Sequence, residues 1–304
     1  MSEWVKTGLL VATPPPVSWA RSHAMVPFVE PTEEGVRLYF SARDEAGRSV
    51  TGRADFDPRS PTDIRFDQRP LLEPGALGAF DDSGAMGSCL VDHGGRKHLY
   101  YIGWTRGVSV PFYTFVGCAV SVDGGRTFER ASRAPVVERG PHDPFLTTSP
   151  WVLYDQGRWR MWYTSGVEWR ARDGGPQHSY HICYAESDDG LLWRRDGRVC
   201  IDFAGEEEHA IARPCVVVSE GRYRMWYSYR GDAYRIGYAE SSDGFEWLRK
   251  DADAGIDVSP GNGWDSQMIE YPCVFEHDDA WYMLYNGDGY GATGVGLARL
   301  RNGD

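Results

Sequence analysis

One pattern recurs five times along this chain, and its spacing constrains the fold more tightly than any single residue. Each copy opens with a short apolar step: Pro27-Phe28-Val29, Pro150-Trp151-Val152, Pro214-Cys215-Val216 and Pro272-Cys273-Val274, with Ser88-Cys89-Leu90 as the copy that lacks proline. Each continues into an aromatic run: Leu38-Tyr39-Phe40, Leu99-Tyr100-Tyr101, Met161-Trp162-Tyr163, Met225-Trp226-Tyr227 and Met283-Leu284-Tyr285. The run begins 11 residues after the step in every copy, and successive copies start 61, 62, 64 and 58 residues apart. A fixed offset inside so long a period marks one supersecondary unit used repeatedly.

The unit reads as antiparallel strands. Its apolar runs are short, alternate with polar residues and end at Gly, Asp and Asn. Asp155-Gln156-Gly157 and Ser219-Glu220-Gly221 are turn chemistry between first and second strands, and Asp189-Gly190, Asp243-Gly244 and Asp123-Gly124-Gly125 between third and fourth. No long segment has helical period. Five units of about sixty residues predict an all-β, five-bladed β-propeller with four-stranded antiparallel blades, a single domain over residues 1–304. The last copy runs out after Val295-Gly296-Leu297-Ala298. The N-terminal strand, Trp4 to Val11, is expected to close the ring by pairing there, which removes exposed strand edges.

Composition narrows the partners. The net charge is −12, with 32 basic against 44 acidic residues, which disfavours nucleic acid and anionic membranes. No apolar run is long enough to span a bilayer, and no secretory leader is evident. The six cysteines form no Cys-x-x-Cys pair. Cys89, Cys215 and Cys273 share one repeat position and read as small buried hydrophobes. A reducing cytoplasm is the expected compartment. The 12 Trp and 17 Tyr are expected mostly between blades.

The cadence Met-Trp-Tyr-Ser (225–228), Ile-Gly-Tyr-Ala-Glu-Ser (236–241) and Asp-Gly-x-x-Trp (243–247) resembles the five-bladed propeller superfamily of glycoside hydrolases, which includes arabinanase, invertase and mannoside phosphorylase types. The resemblance covers all five units. The chain also resembles propellers of polysaccharide-biosynthesis clusters, which implies work on a sugar or activated sugar. Ser121-x-Asp123-Gly-Gly-x-Thr-Phe128 is similar to the Asp-box of sialidases, a turn element without chemistry.

The resemblance implies that the start of each first strand faces a central funnel. Residues upstream of the steps then become candidates. Asp82, Asp143 and Glu270 are the candidate catalytic carboxylates, since glycosyl transfer needs a protonated acid and a base or nucleophile. A period of two places Glu270 on the face of Pro272. The family's carboxylates often stand directly before an anchor proline. Here those slots hold Val26, Gly87, Ser149 and Arg213, so the usual triad is not in its standard positions. Arg21, Arg213 and Arg230, with Arg43, suit a phosphate or carboxylate on the substrate. His23, His178 and His181 are candidate proton donors near neutral pH. Trp169, Trp104 and Tyr290 are expected in rim loops as sugar platforms, and Asp288, in Gly287-Asp288-Gly289-Tyr290-Gly291, as a residue presented to ligand. No metal-ligand spacing is present, and no cofactor is implied.

Three activities remain open on this reading. The first is a glycosidase-like enzyme that cleaves or transfers a glycosyl unit of an anionic or nucleotide-activated sugar. The others are an isomerase, lyase or cyclase on a biosynthetic intermediate, and a propeller that binds sugar without catalysis.

Overall fold

Short β-branched and aromatic runs, each closed by a turn residue, form twenty strands among the described residues, 3–301, of a computed structural model. The chain divides into two compact units, one taking in Met1–Leu71 and Cys215–Asp304, the other Leu72–Pro214. In chain order the first segment supplies β1 (Trp4–Val11), β2 (Ser22–Thr32), β3 (Gly35–Arg43), β4 (Ser49–Asp57) and β5 (Ser60–Phe66). The second unit supplies β6 (Gly84–His93), β7 (Arg96–Arg106), β8 (Phe112–Ser121), β9 (Glu129–Arg130), β10 (Thr147–Asp155), β11 (Arg158–Arg172), β12 (Gly175–Ser187) and β13 (Val199–Ile201). Then follow β14 (Ala210–Ser219), β15 (Arg222–Arg230), β16 (Tyr234–Ser241), β17 (Leu248–Arg249), β18 (Glu270–His277), β19 (Ala280–Asn286) and β20 (Val295–Leu300).

Within the second unit, β6-β7-β8-β9 and β10-β11-β12-β13 are four-stranded antiparallel groups. The first unit holds β2-β3-β4-β5 and β18-β19-β20-β1. It also holds β15-β16-β17, joined along β15 by β14. The N-terminal strand does pair with the last one, Trp4 opposite Leu300 and Val11 opposite Val295. Trp104 and Trp169, expected in loops, instead lie in strands, because their hairpins keep pairing: Trp104 opposite Thr114, and Trp169 opposite His178.

Two repeated devices hold the groups. The first is a turn clamp. Ser121, Ser187 and Ser241 each donate to the Asp two residues on (Asp123, Asp189, Asp243), and that carboxylate accepts the next backbone amides. The Thr127 hydroxyl, and then those amides, hold the Asp123 carboxyl far below the usual range. All three Ser-x-Asp segments are therefore turn elements.

The second device is a buried strut. Tyr101, Tyr163 and Tyr285 end three aromatic runs, and each phenol donates to the Asp twenty residues earlier, at 3.0, 2.9 and 3.0 Å. Each carboxylate also takes a cation: Arg130 on Asp81 at 2.7 Å, Arg195 on Asp143 at 2.6 Å and Lys6 on Asp265 at 2.7 Å. An aromatic beside two of these acids stacks on the same tyrosine, Phe80 on Tyr101 and Trp264 on Tyr285. Tyr227 makes the same bond to Asp251, which Arg249 pairs.

The cysteines add a smaller version. The Val152 amide donates to Cys89 Sγ at 3.3 Å and the Val274 amide to Cys215 Sγ at 3.2 Å, so these thiols accept hydrogen bonds as well as filling space.

Because the strut is buried, breaking it exposes unmatched charge. Asp143→Ala is expected to destabilise the protein by about 3 kcal/mol. Tyr163→Phe, which leaves the ion pair, should cost about 1 kcal/mol. Urea unfolding of the two variants checks both values.

Candidate functional site

The step before each proline is a strained bulge. Val26, Ser149, Arg213 and Tyr271 all have positive φ, at 54°, 47°, 56° and 55°. Pairing slips there, between Met25 and Phe28, between Thr148 and Trp151, and between Glu270 and Cys273. Non-glycine residues reach this region only when their surroundings hold them. What holds three of them is the residue after an aromatic run. Val26 N–H donates to Asn286 Oδ1 at 3.0 Å, Arg213 N–H to Thr164 Oγ1 at 3.4 Å, and Tyr271 N–H to Ser228 Oγ at 2.8 Å. This polar position recurs through the repeat and could have been read from it. The bulge also corrects the period-of-two argument for Glu270, since alternation does not carry across an extra residue.

Glu270 opens β18, opposite Asn286. Four carboxylates are buried among the described residues: Asp81, Asp143, Asp265 and Glu270. The first three belong to struts. Glu270 is 0% exposed, and neither oxygen has a hydrogen-bond partner. The Tyr271 side chain and the Tyr290 backbone amide lie near the carboxyl without bonding geometry. Burial pushes the group well above the usual carboxylate range, against the pull of the Arg230 guanidinium.

Arg230 ends β15. Its Nη1 donates to the Tyr290 hydroxyl at 2.6 Å, its guanidinium lies 5.5 Å from the centre of the Tyr234 ring, and its buried Nε has no acceptor. Tyr290 stands half-exposed in the tight turn Asp288–Gly291, where Gly289 and Tyr290 are left-handed at φ of 71° and 60°. Gly291 ends that turn beside the Ala24 carbonyl and Asn286, where any side chain would collide. Asn286 donates to Ala24 and Gly294, so the start of β2 is tied to this loop. The first unit thus gathers Glu270, Arg230, Tyr271 and Tyr290. Sequence reasoning missed Tyr271, although it fills the fifth pre-proline slot.

Other candidates of this unit sit differently. His23 also has positive φ, 62°, and burial, helped by Arg43, lowers its pKa. Arg21 is exposed, its amide donating to the Arg43 carbonyl. Asp288 has a structural bond of its own. Its Oδ1 accepts from Gln267 N–H and Met268 N–H, both at 2.9 Å, and so caps the loop before β18.

In the second unit, Asp143 is a strut carboxylate, already engaged by Tyr163 and Arg195. Asp82 caps a turn, accepting from Gly78 N–H at 3.0 Å and Ser83 Oγ at 2.9 Å. Arg213, a candidate for the substrate's anion, is enclosed. It is fully buried, donates to Ser88 Oγ at 3.1 Å and lies 5.6 Å from the Trp151 ring centre. Trp169 packs edge-on against Phe112 and His178 in an aromatic cluster. His181 Nδ1 is 3.3 Å from Asp202. No group of three His, Cys, Asp or Glu among the described residues is placed to hold a metal ion.

The Glu270 proton has a sign that can be tested. An unfolded glutamate ionises near 4.5, whereas burial keeps the native carboxyl protonated to higher pH. The native state is favoured fully below the ordinary value and loses that advantage as pH rises through the native one. Glu270→Gln should therefore raise the melting temperature relative to wild type at pH 8 and leave it nearly unchanged at pH 4.

No protein-family model matches the chain. It is 45% identical over 301 residues to "Uncharacterized protein Rv1502" of Mycobacterium tuberculosis (strain ATCC 25618 / H37Rv), covering 98% of this chain and 99% of that one. A solved structure described as "Glycoside hydrolase" matches with a TM-score of 0.76 at 18% identity, over 97% of this chain and 91% of that one. Another is described by the words "The GH130 family of mannoside phosphorylases contains glycoside hydrolases that target beta-1,2 mannosidic linkages in Candida mannan". It matches with a TM-score of 0.66 at 15% identity, over 93% and 85% of the two chains. These likenesses show that the chain shares the all-β fold of those structures. The near-complete match to the mycobacterial protein shows that this chain belongs to its family.

Proposed function

We propose that this protein is a glycosidase-like enzyme that cleaves or transfers a glycosyl unit, with Glu270 as its proton donor. The observation that carries the reading is a carboxyl with 0% exposure and no hydrogen bond to either oxygen, in a fold shared with glycoside hydrolases. A buried acid that stays neutral near pH 7 can give its proton to the departing oxygen as the bond to the anomeric carbon breaks.

Arg230 supports an anionic or nucleotide-activated sugar as the substrate. Beside a neutral Glu270 its charge has no carboxylate to balance it, and its Nε lacks an acceptor. A phosphate oxygen fits that guanidinium well. Such a group would draw Arg230 away from the Tyr290 hydroxyl and open a way to the acid. Residues 1–304 as one five-bladed propeller is likewise our reading, supported by the 11-residue offset kept in all five copies. So is a role in polysaccharide assembly in the cytoplasm, supported by six buried thiols.

A second reading, sugar binding without turnover, is favoured by one observation: the pre-proline slots hold Val26, Gly87, Ser149, Arg213 and Tyr271, none of them acidic. Screening glycosyl phosphates, nucleotide sugars and aryl glycosides decides between the two. The enzyme reading expects turnover of at least one, a fall in kcat of about 100-fold or more in Glu270→Gln, and a larger rise in KM for phosphorylated substrates than for neutral ones in Arg230→Ala. Saturable binding with no product would favour the second reading, and turnover unchanged in Glu270→Gln would remove Glu270 from the mechanism.

A further inference from the structure

A cavity of about 460 Å³ lies in the first unit, away from Glu270, walled by Trp4, Trp226, Trp281, Tyr238, Arg224 and Glu240. Its size falls within the range of small-molecule sites. Trp4 and Trp226 meet edge to face with ring centres 6.1 Å apart, and Trp226 lies 5.0 Å from Tyr238. Both indoles are more than nine-tenths buried, and neither Nε1–H has an acceptor. Both nitrogens are closed off behind the wall, so what the cavity offers a ligand is ring surface and the polar groups of Arg224 and Glu240.

The repeat supplies an internal control. Arg160, Trp162, Tyr184 and Glu186 occupy the same positions in the preceding copy as Arg224, Trp226, Tyr238 and Glu240. The tyrosine donates to the glutamate in both, at 2.9 and 2.8 Å. There the likeness ends. Arg160 is buried, donates to Tyr184 Oη at 2.8 Å and lies across both rings, 5.6 Å from Trp162 and 5.5 Å from Tyr184. Arg224 is instead drawn to the exposed Glu220 at 3.2 Å and covers neither ring. What is filled in one copy is open in the other.

We propose that this cavity is a second carbohydrate site, which takes a neutral sugar ring against its indole walls. Indole faces suit the apolar C–H face of a pyranose, and ring hydroxyls provide partners for Arg224 and Glu240. An apolar ligand would take water from Arg224 and Glu240 without replacing it. An anionic one would meet Glu240 on a chain of net charge −12. The site does not depend on the chemistry at Glu270.

Titration of the full chain with cellobiose, maltose and mannobiose, read by tryptophan fluorescence and saturation-transfer NMR, tests it. Glucose 1-phosphate and indole serve as charged and apolar probes. The expected result is saturable binding of a neutral disaccharide with Kd of about 1 mM. Trp281→Ala, at a partly exposed position, should weaken it about tenfold. Glu220→Ala, a surface change that frees Arg224 to lie over Trp226, should weaken it similarly. Glu270→Gln should leave it unchanged. The proposal is overturned if no neutral disaccharide saturates, if only indole or glucose 1-phosphate binds, or if affinity survives in Trp281→Ala or Glu220→Ala.

Discussion

The bond from a buried tyrosine to a buried aspartate, completed by a cation, is the constraint on which much of this structure rests. Asp81, Asp143 and Asp265 each use it, and each lies twenty residues before its tyrosine. Desolvating a carboxylate is costly unless hydrogen bonds and an opposite charge replace the lost water. With phenol and cation both supplied, the acid ties the loop before one strand to the middle of the next. Measured against that rule, Glu270 is the exception. It has the burial of a strut and neither of its bonds. The same desolvation that the struts overcome is left standing there, and it holds the proton on.

The strained bulges place that exception. Each positive-φ residue before an anchor proline costs about 1–3 kcal/mol in isolation. Three are held by side chains that the repeat itself supplies, Asn286, Thr164 and Ser228. Glu270 directly precedes one of these bulges, so its side chain direction follows from backbone that is fixed. Tyr290, at φ of 60° and hydrogen-bonded to Arg230, adds a second strained element to the same cluster. Strain of this kind is typical of places where a fold gives up stability for a particular geometry.

The strands and their grouping were legible because the repeat records them directly: apolar steps, aromatic runs and turn residues at constant offsets. The pairing of Trp4–Val11 with the last strand followed from the missing strand of the fifth copy. The site was legible only in part. Asp143 and Glu270 look alike in sequence, as acids upstream of an anchor. Each has a tyrosine twenty residues on, but Tyr163 ends an aromatic run and donates to Asp143, whereas Tyr290 lies in the glycine-rich turn beyond its run and accepts from Arg230, and only the place of the run was readable. The cations were not, since Arg130, Arg195 and Lys6 reach their partners from 49, 52 and 259 residues away. Arg213 was expected to meet an anion on the substrate because it stands just before an anchor proline, and it is buried against Trp151. Asp288 looked like a presented ligand because its neighbours are glycines. Those glycines allow the tight turn that carries Asp288, and its carboxylate reaches the amides of Gln267 and Met268.

The role of Glu270 depends on whether its carboxyl keeps its proton in water near neutral pH. Difference infrared spectroscopy of wild type against Glu270→Gln reads that proton directly. At pH 7 the carbonyl stretch of a protonated carboxylic acid, present in wild type and absent in the variant, is the predicted result. Loss of ionised carboxylate bands in the variant instead, titrating as an exposed glutamate does, would contradict it.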